Sequence, residues 1–145
     1  MTAETSAPPV LRSAIRLHVL VDPPVEVGEI SLGFRRVIPI TGGTWTAVGP
    51  DGGELSGEVV PGGADWNTEV EEGLQHVEAR YSLRAPDGSF VEISNRGWVR
   101  DGVARTAATL EAPSASPLAH LTRRTLLGTI AGAEGGVLIE LFLSE

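Results

Sequence analysis

The run "LQHVEARYSLRAPDGSFVEISNRGWVR", residues 74–100, decides the fold. Its first arm, Leu74 to Arg84, sets Val77, Ala79, Tyr81 and Leu83 against His76, Glu78 and Arg80 at alternate positions. Successive side chains of a strand point to opposite faces, so a period of two predicts a β-strand with one apolar and one polar face. "APDG" (85–88) supplies turn residues: proline presets φ, aspartate bonds its own backbone, and glycine tolerates positive φ. The second arm, Ser89 to Arg100, alternates Val91, Ile93 and Asn95 with Glu92, Ser94 and Arg96. Two such arms about a turn make a β-hairpin.

The same signals extend in both directions. Upstream, Ser13, Ile15, Leu17, Val19 and Val21 alternate with Arg12, Ala14, Arg16 and His18, until Asp22-Pro23-Pro24 stops the strand. "RRVIPITGG" (35–43) and "GTWTAVG" (43–49) read as two short strands or one bent strand, with Pro39 and Gly42-Gly43 marking an edge or bulge. "PDGG" (50–53) is a turn, and "ELSGEVV" (54–60) is a strand that ends at Pro61. Downstream, Asp101-Gly102 turns the chain into "VARTAATL" (103–110). A short helical turn is expected near Pro117, then a strand, the turn "GAEGG" (132–136) and a last strand "VLIELFLSE" (137–145).

Eight to ten strands joined by short turns predict an all-β fold. Closure removes exposed sheet edges, so the expected architecture is a closed or nearly closed antiparallel barrel. A barrel of about eight strands has room for one small ligand. A two-sheet sandwich is the alternative. Residues 1–9 read as a flexible tail ending at Pro8-Pro9, and residues 10–145 as a single barrel domain.

Composition narrows the function. The chain has 145 residues, a net charge of −8 and no cysteine. Nucleic acid is bound through Lys and Arg, so the acidic balance argues against it, and against anionic membranes too. No signal peptide is evident at "MTAETSAPPV", and no apolar run approaches the ~18 residues of a membrane span. A cytoplasmic protein is expected. His18, His76 and His120 show no metal-ligand spacing, "TGGT" is not a phosphate loop, and no nucleophile elbow occurs. No metal and no cofactor are therefore expected. The apolar "VLIELFL" reads as a sheet edge through which a homodimer can form.

The polar face of the hairpin has two readings. It meets water, or it lines a cavity. In the second, His76 beside Glu78 is a tuned acid–base pair and Arg80 donates to an anionic or carbonyl oxygen. Asp65 and Trp66, directly after Gly62-Gly63, are either a backbone cap and a core lid or a catalytic acid and an aromatic wall at the barrel mouth. The catalytic candidates are His76, Glu78, Asp65 and Arg80. The candidate substrate contacts are Trp66, Arg36, Glu92, Asn95, Trp98 and Trp45.

The segments "RRVIPITGGTW" (35–45), "LSGEVVPGGADW" (55–66), "EARYSLRAPDGSFVEISNRG" (78–97) and "ARTAATLE" (104–111) together resemble the bacterial family known as domain of unknown function 3237. The resemblance implies a calycin-like barrel and a place in small-molecule metabolism, including polyketide-type pathways. The chain departs from the family pattern at His76, Glu78 and Trp98, and in the aromatic-poor "LAHLTRRTLLG" (118–128). Pattern and resemblance together point to a cofactor-independent enzyme doing dehydration, cyclisation or isomerisation on an apolar or aromatic molecule. A non-catalytic barrel that carries such a molecule is the alternative.

Overall fold

The computed structural model describes residues 4–145, which form ten β-strands and one short 3-10 turn. The first strands are β1 (Leu11–Val21), β2 (Val25–Glu29), β3 (Phe34–Val48), β4 (Glu54–Val59) and β5 (Ala64–Glu71). They are followed by β6 (Leu74–Arg84), β7 (Phe90–Arg100), β8 (Val103–Glu111), β9 (Leu126–Ala133) and β10 (Gly136–Ser144). The 3-10 turn spans Ala119–Leu121. It sits where a helical turn is expected near Pro117. Of the expected N-terminal tail, residues 1–3 lie outside the described residues; Glu4 to Val10 carry no regular structure.

All pairings are antiparallel, and they close a ring. The order β1-β10-β9-β8-β7-β6-β4-β3 returns to β1 through the pairing of Ile15–Val21 with Ile40–Ala47. This is the closed barrel, not the sandwich. β3 is one long bent strand rather than two. Its second half pairs with β1 and β4, and its first half with β2 and β5. The bend lies at Gly42-Gly43, opposite a register shift at Leu20/Val21. A side chain at Gly43 would collide with the His18 carbonyl oxygen, so only glycine lets the strands approach there.

Two strands escape the sequence pattern. β2 and β5 lie outside the eight-strand path; β5 fills the space between the first halves of β3 and β6. "ADWNTEVE" alternates Ala64, Trp66 and Val70 with Asp65, Asn67, Glu69 and Glu71, but it follows directly on the Pro61-Gly62-Gly63 turn and is rich in polar residues, so it reads as loop. "VLIELFL" is not a sheet edge. β10 is paired on both sides, with β1 and β9.

The two ends of the barrel differ. One end is packed solid: Trp45, Leu83, Leu110, Leu118, Leu121 and Leu126 are all at most 1% exposed. Leu118 and Leu121 come from the 3-10 segment, which folds over that end as a plug. Trp45 is part of this packing. Its indole Nε1–H donates to the Arg84 carbonyl at 3.2 Å, so it is a core residue and not a ligand contact. Toward the other end the inward residues Val21, Ile38, Gln75, Val99 and Val137 are only half-buried, and the interior opens into a cavity.

Candidate functional site

Strand parity decides which side chains see the cavity. On β6 the inward positions are Gln75, Val77, Ala79 and Tyr81. His76, Glu78 and Arg80 therefore point outward, and the expectation that they line the cavity is overturned. The physical reason is ordinary: the barrel encloses the apolar face of the hairpin and leaves the polar face to solvent. His76 packs edge-on against Trp98, with ring centroids 4.8 Å apart. Glu78 lies 3.8 Å from Arg96 across the outer surface, and Arg80 is exposed.

Other predicted contacts also meet outside. Trp66, Arg80 and Glu92 line an external groove of about 440 Å³ beside Pro61–Gly63. Arg36 is tied to Glu69 at 3.1 Å and stacks over Phe34. Neither Arg36, Trp45 nor Trp98 lines the cavity. His18 and His120 face the backbone carbonyls of Glu134 and Val48. Among the described residues no three His, Cys, Asp or Glu side chains converge as a metal site.

Asp65 and Asn95 do face inward. Because β5 is a strand, Asp65 and Trp66 fall on opposite faces: the acid enters the cavity and the indole faces the outer groove. Of the two residues expected to point across the opening, Asp65 lines the cavity and Trp66 does not. Gly62-Gly63 sets this arrangement. Both glycines have positive φ, 117° and 77°, and a side chain at Gly63 would strike the Arg80 carbonyl. The turn thus passes tight against β6 before Ala64 pairs with Arg80 and Asp65 with Ala79.

The cavity holds about 240 Å³ and is walled chiefly by Val, Ile and Ala side chains from β1, β3, β6, β9 and β10. Its polar groups are Asp65, Asn67, Gln75, Tyr81 and Asn95. Among the described residues no Lys, Arg or His lines it, and Asp65 is the one carboxyl group that does. Asp65 Oδ1 accepts the Glu78 backbone N–H at 3.0 Å, and Oδ2 accepts the Asn67 amide at 3.4 Å. The β5–β6 ladder lapses between the Asp65–Ala79 and Thr68–His76 pairs, and the carboxylate satisfies a backbone donor in that gap. Burial pushes the Asp65 carboxyl above its ordinary value of 3.8, opposed by these two donors and by the fields of His76 and Arg35.

Across the cavity wall, Asp65 pairs with Ala79 and Ala79 with Asn95. The acid and the amide stand in one row, on either side of a small side chain. Asn95 is 0% exposed, yet neither its Oδ1 nor its Nδ2 has a hydrogen-bond partner. Tyr81, one inward step along β6 from Ala79, is 5% exposed and its hydroxyl is likewise unpartnered. Burial pushes its phenol well above the ordinary range, so it stays a neutral donor. Unsatisfied buried polar groups are rare. Arg36, His76, Thr106 and His120 each leave one such atom elsewhere in the structure, whereas those of Asn95 and Tyr81 belong to side chains that line the cavity. Tyr81 has no polar signal in the sequence, because it shares its parity with Val77 and Leu83 and reads as core. The bare hydroxyl, visible only once the cavity is seen, marks it.

A closed antiparallel barrel with a small, mostly apolar internal cavity and one buried carboxyl group defines the class of this protein. The chain belongs to the family described as protein of unknown function DUF3237, whose sequence profile matches residues 9–117. It is 40% identical to a UPF0311 protein of Bradyrhizobium diazoefficiens over 73 residues, which is 50% of this chain and 44% of that protein. A UPF0311 protein of Clostridium acetobutylicum is 34% identical over 82 residues, 56% of this chain and 49% of that protein. The matched segment thus spans about half the length of these curated relatives. A β-barrel-like protein of Acinetobacter baumannii has the same fold, with a TM-score of 0.83 at 23% identity, covering 99% of this chain and 100% of that one. A protein from Penicillium herquei described as an enzyme superposes with a TM-score of 0.79 at 19% identity, covering 99% and 100% of the two chains.

Proposed function

We propose that this chain is a cofactor-independent enzyme of small-molecule metabolism that performs general acid–base chemistry inside the barrel. Asp65 takes or gives the proton; Asn95 and Tyr81 hold the oxygen or nitrogen functions of the substrate. Dehydration, cyclisation and isomerisation, as on polyketide-type metabolites, each require a positioned acid or base and a dry, shaped space. One observation carries the reading: a carboxyl group with a raised proton affinity faces, across Ala79, a fully buried amide without partners. The barrel fold shared with a protein described as an enzyme supports it.

A generic proton-abstraction probe tests it without knowledge of the substrate. 5-Nitrobenzisoxazole loses its C3 proton to a base while the N–O bond breaks, giving a coloured cyanophenolate. A desolvated carboxylate in an apolar cavity is the base this reaction needs. Wild-type protein should accelerate the elimination, with a rate that rises as Asp65 ionises. Asp65→Asn should lower that rate by about a hundredfold or more. Equal rates in the two proteins would remove Asp65 as the proton-transfer group. Binding of the probe without turnover would favour the carrier alternative.

A further inference from the structure

We infer that the cavity takes an uncharged, mainly apolar molecule that carries a hydrogen-bond donor and acceptor side by side, as a primary amide or a lactam does. The inference rests on the cavity being the binding site, and goes beyond it by naming the ligand class.

Charge is the first argument. A carboxylate or phosphate brought into this space would meet no Lys, Arg or His, because none lines it. An unpaired charge in an apolar interior is strongly disfavoured. Asp65 would repel an anion further whenever it is ionised. A cation has only Asp65 to pair with, and burying that pair requires both charges to be stripped of water in an otherwise apolar space. An uncharged ligand incurs neither cost.

The second argument is the pattern of bare polar atoms. Asn95 presents an unused donor, Nδ2, and an unused acceptor, Oδ1, from one planar group. Its complement is a group with an acceptor and a donor in the same plane and the same order. Such a pair closes two hydrogen bonds at once. A ligand with an acceptor alone leaves Oδ1 bare and keeps part of the cost of burying it.

Size is the third. The row Asp65–Ala79–Asn95 spans two strand spacings, about 10 Å between backbones. Asp65 and Asn95 project from the wall into the cavity, so the space over Ala79 lies between them. A volume of about 240 Å³ suits a molecule of one or two rings.

The test is a binding titration at neutral pH, followed by NMR at the Asn95 side-chain amide, with ligands of one shape. Toluene offers no polar group and acetophenone an acceptor alone. Benzamide and oxindole, a lactam, offer donor and acceptor side by side. Benzoate and benzamidinium carry a negative and a positive charge. At least one of benzamide and oxindole should bind about three- to tenfold more tightly than acetophenone. Whichever does so separates open-chain amide from lactam ligands. Benzoate should bind at least tenfold more weakly than benzamide, and benzamidinium no better than benzamide. In Asn95→Ala and Asn95→Val, each checked for a cooperative melt, the preference over acetophenone should vanish while toluene still binds. Preference for a charged ligand, or a donor–acceptor preference that survives in both Asn95 variants, would overturn the inference. If toluene binds and nothing polar binds better, the ligand class is wrong and the cavity reading stands. If no member of the series binds and 5-nitrobenzisoxazole is not turned over, the cavity reading falls with it.

Discussion

Asp65 and Asn95 stand in one row of the barrel wall, separated by Ala79, whose side chain is too small to fill the space between them. That relationship joins the two polar groups of the proposed site through backbone register alone. Neither residue contacts the other.

Ala79 is therefore the position at which the site can be closed without touching its polar groups. Ala79→Leu places three extra carbons into open cavity. Overpacking a solid core costs roughly 1–3 kcal/mol, but here the added atoms enter empty space and gain burial. Stability should change by less than about 1 kcal/mol, while binding of toluene or 5-nitrobenzisoxazole falls at least about tenfold. Urea melts and probe titrations check the two halves separately. Unchanged binding would place the ligand elsewhere, for example in the outer groove beside Trp66.

The raised proton affinity of Asp65 fixes the sign of a pH effect. A carboxyl that binds its proton more tightly when folded makes the folded state hold more protons in the window above 3.8. Wild-type stability should accordingly fall as pH rises through that window and then level off. Asp65→Asn keeps an oxygen for the Glu78 N–H and has no charge to bury. The variant should melt at a higher temperature than wild type at neutral pH, with the difference closing as pH falls toward 3.8. A gap that stays constant across pH would mean that the carboxyl is not desolvated in the folded protein. Gain in stability together with loss of turnover is the usual sign of a residue kept for chemistry.

The barrel was legible in the sequence because β1, β6 and the first half of β7 alternate cleanly and turn residues separate the remaining strands. The site was legible only in part. Asp65 draws notice as an acid after a double-glycine turn, and Asn95 as a polar residue among Val91 and Ile93. The hairpin face is the part that periodicity leaves ambiguous. His76, Glu78 and Arg80 look like a constellation, but polar residues at alternate positions equally describe the wet outside of a barrel. Composition cannot choose between the faces. Burial chooses, since closing the ring around Val77, Ala79, Tyr81 and Leu83 removes far more apolar surface from water.

Tyr81 offers a check on the unpartnered groups. A buried hydroxyl without a partner costs about 1–3 kcal/mol, and Tyr81→Phe removes it while keeping the ring. The Phe variant should be more stable than wild type by about 1 kcal/mol in urea melts. It should also bind benzamide more weakly if the hydroxyl serves the ligand. A variant destabilised by more than about 0.5 kcal/mol would show that the hydroxyl has a partner within the protein.

Gly63 links the turn to the chemistry. Its φ of 77° belongs to the left-handed region, and a side chain there would collide with the Arg80 carbonyl. Left-handed backbone alone costs a non-glycine residue about 1–2 kcal/mol, and the collision adds to it. Gly62 makes the useful control: its φ is 117°, but a side chain there meets nothing within 4 Å. Gly63→Ala should destabilise by about 2 kcal/mol or more, and by more than Gly62→Ala. The strain has one easy outlet, a shift of the turn away from β6. That shift would carry Ala64 and Asp65 out of register with Arg80 and Ala79. Elimination of 5-nitrobenzisoxazole should then drop in Gly63→Ala by more than its loss of folded protein accounts for. In Gly62→Ala it should fall only in proportion to folded protein. Proportional loss in both variants would separate the turn from the site and leave Gly63 a purely structural residue.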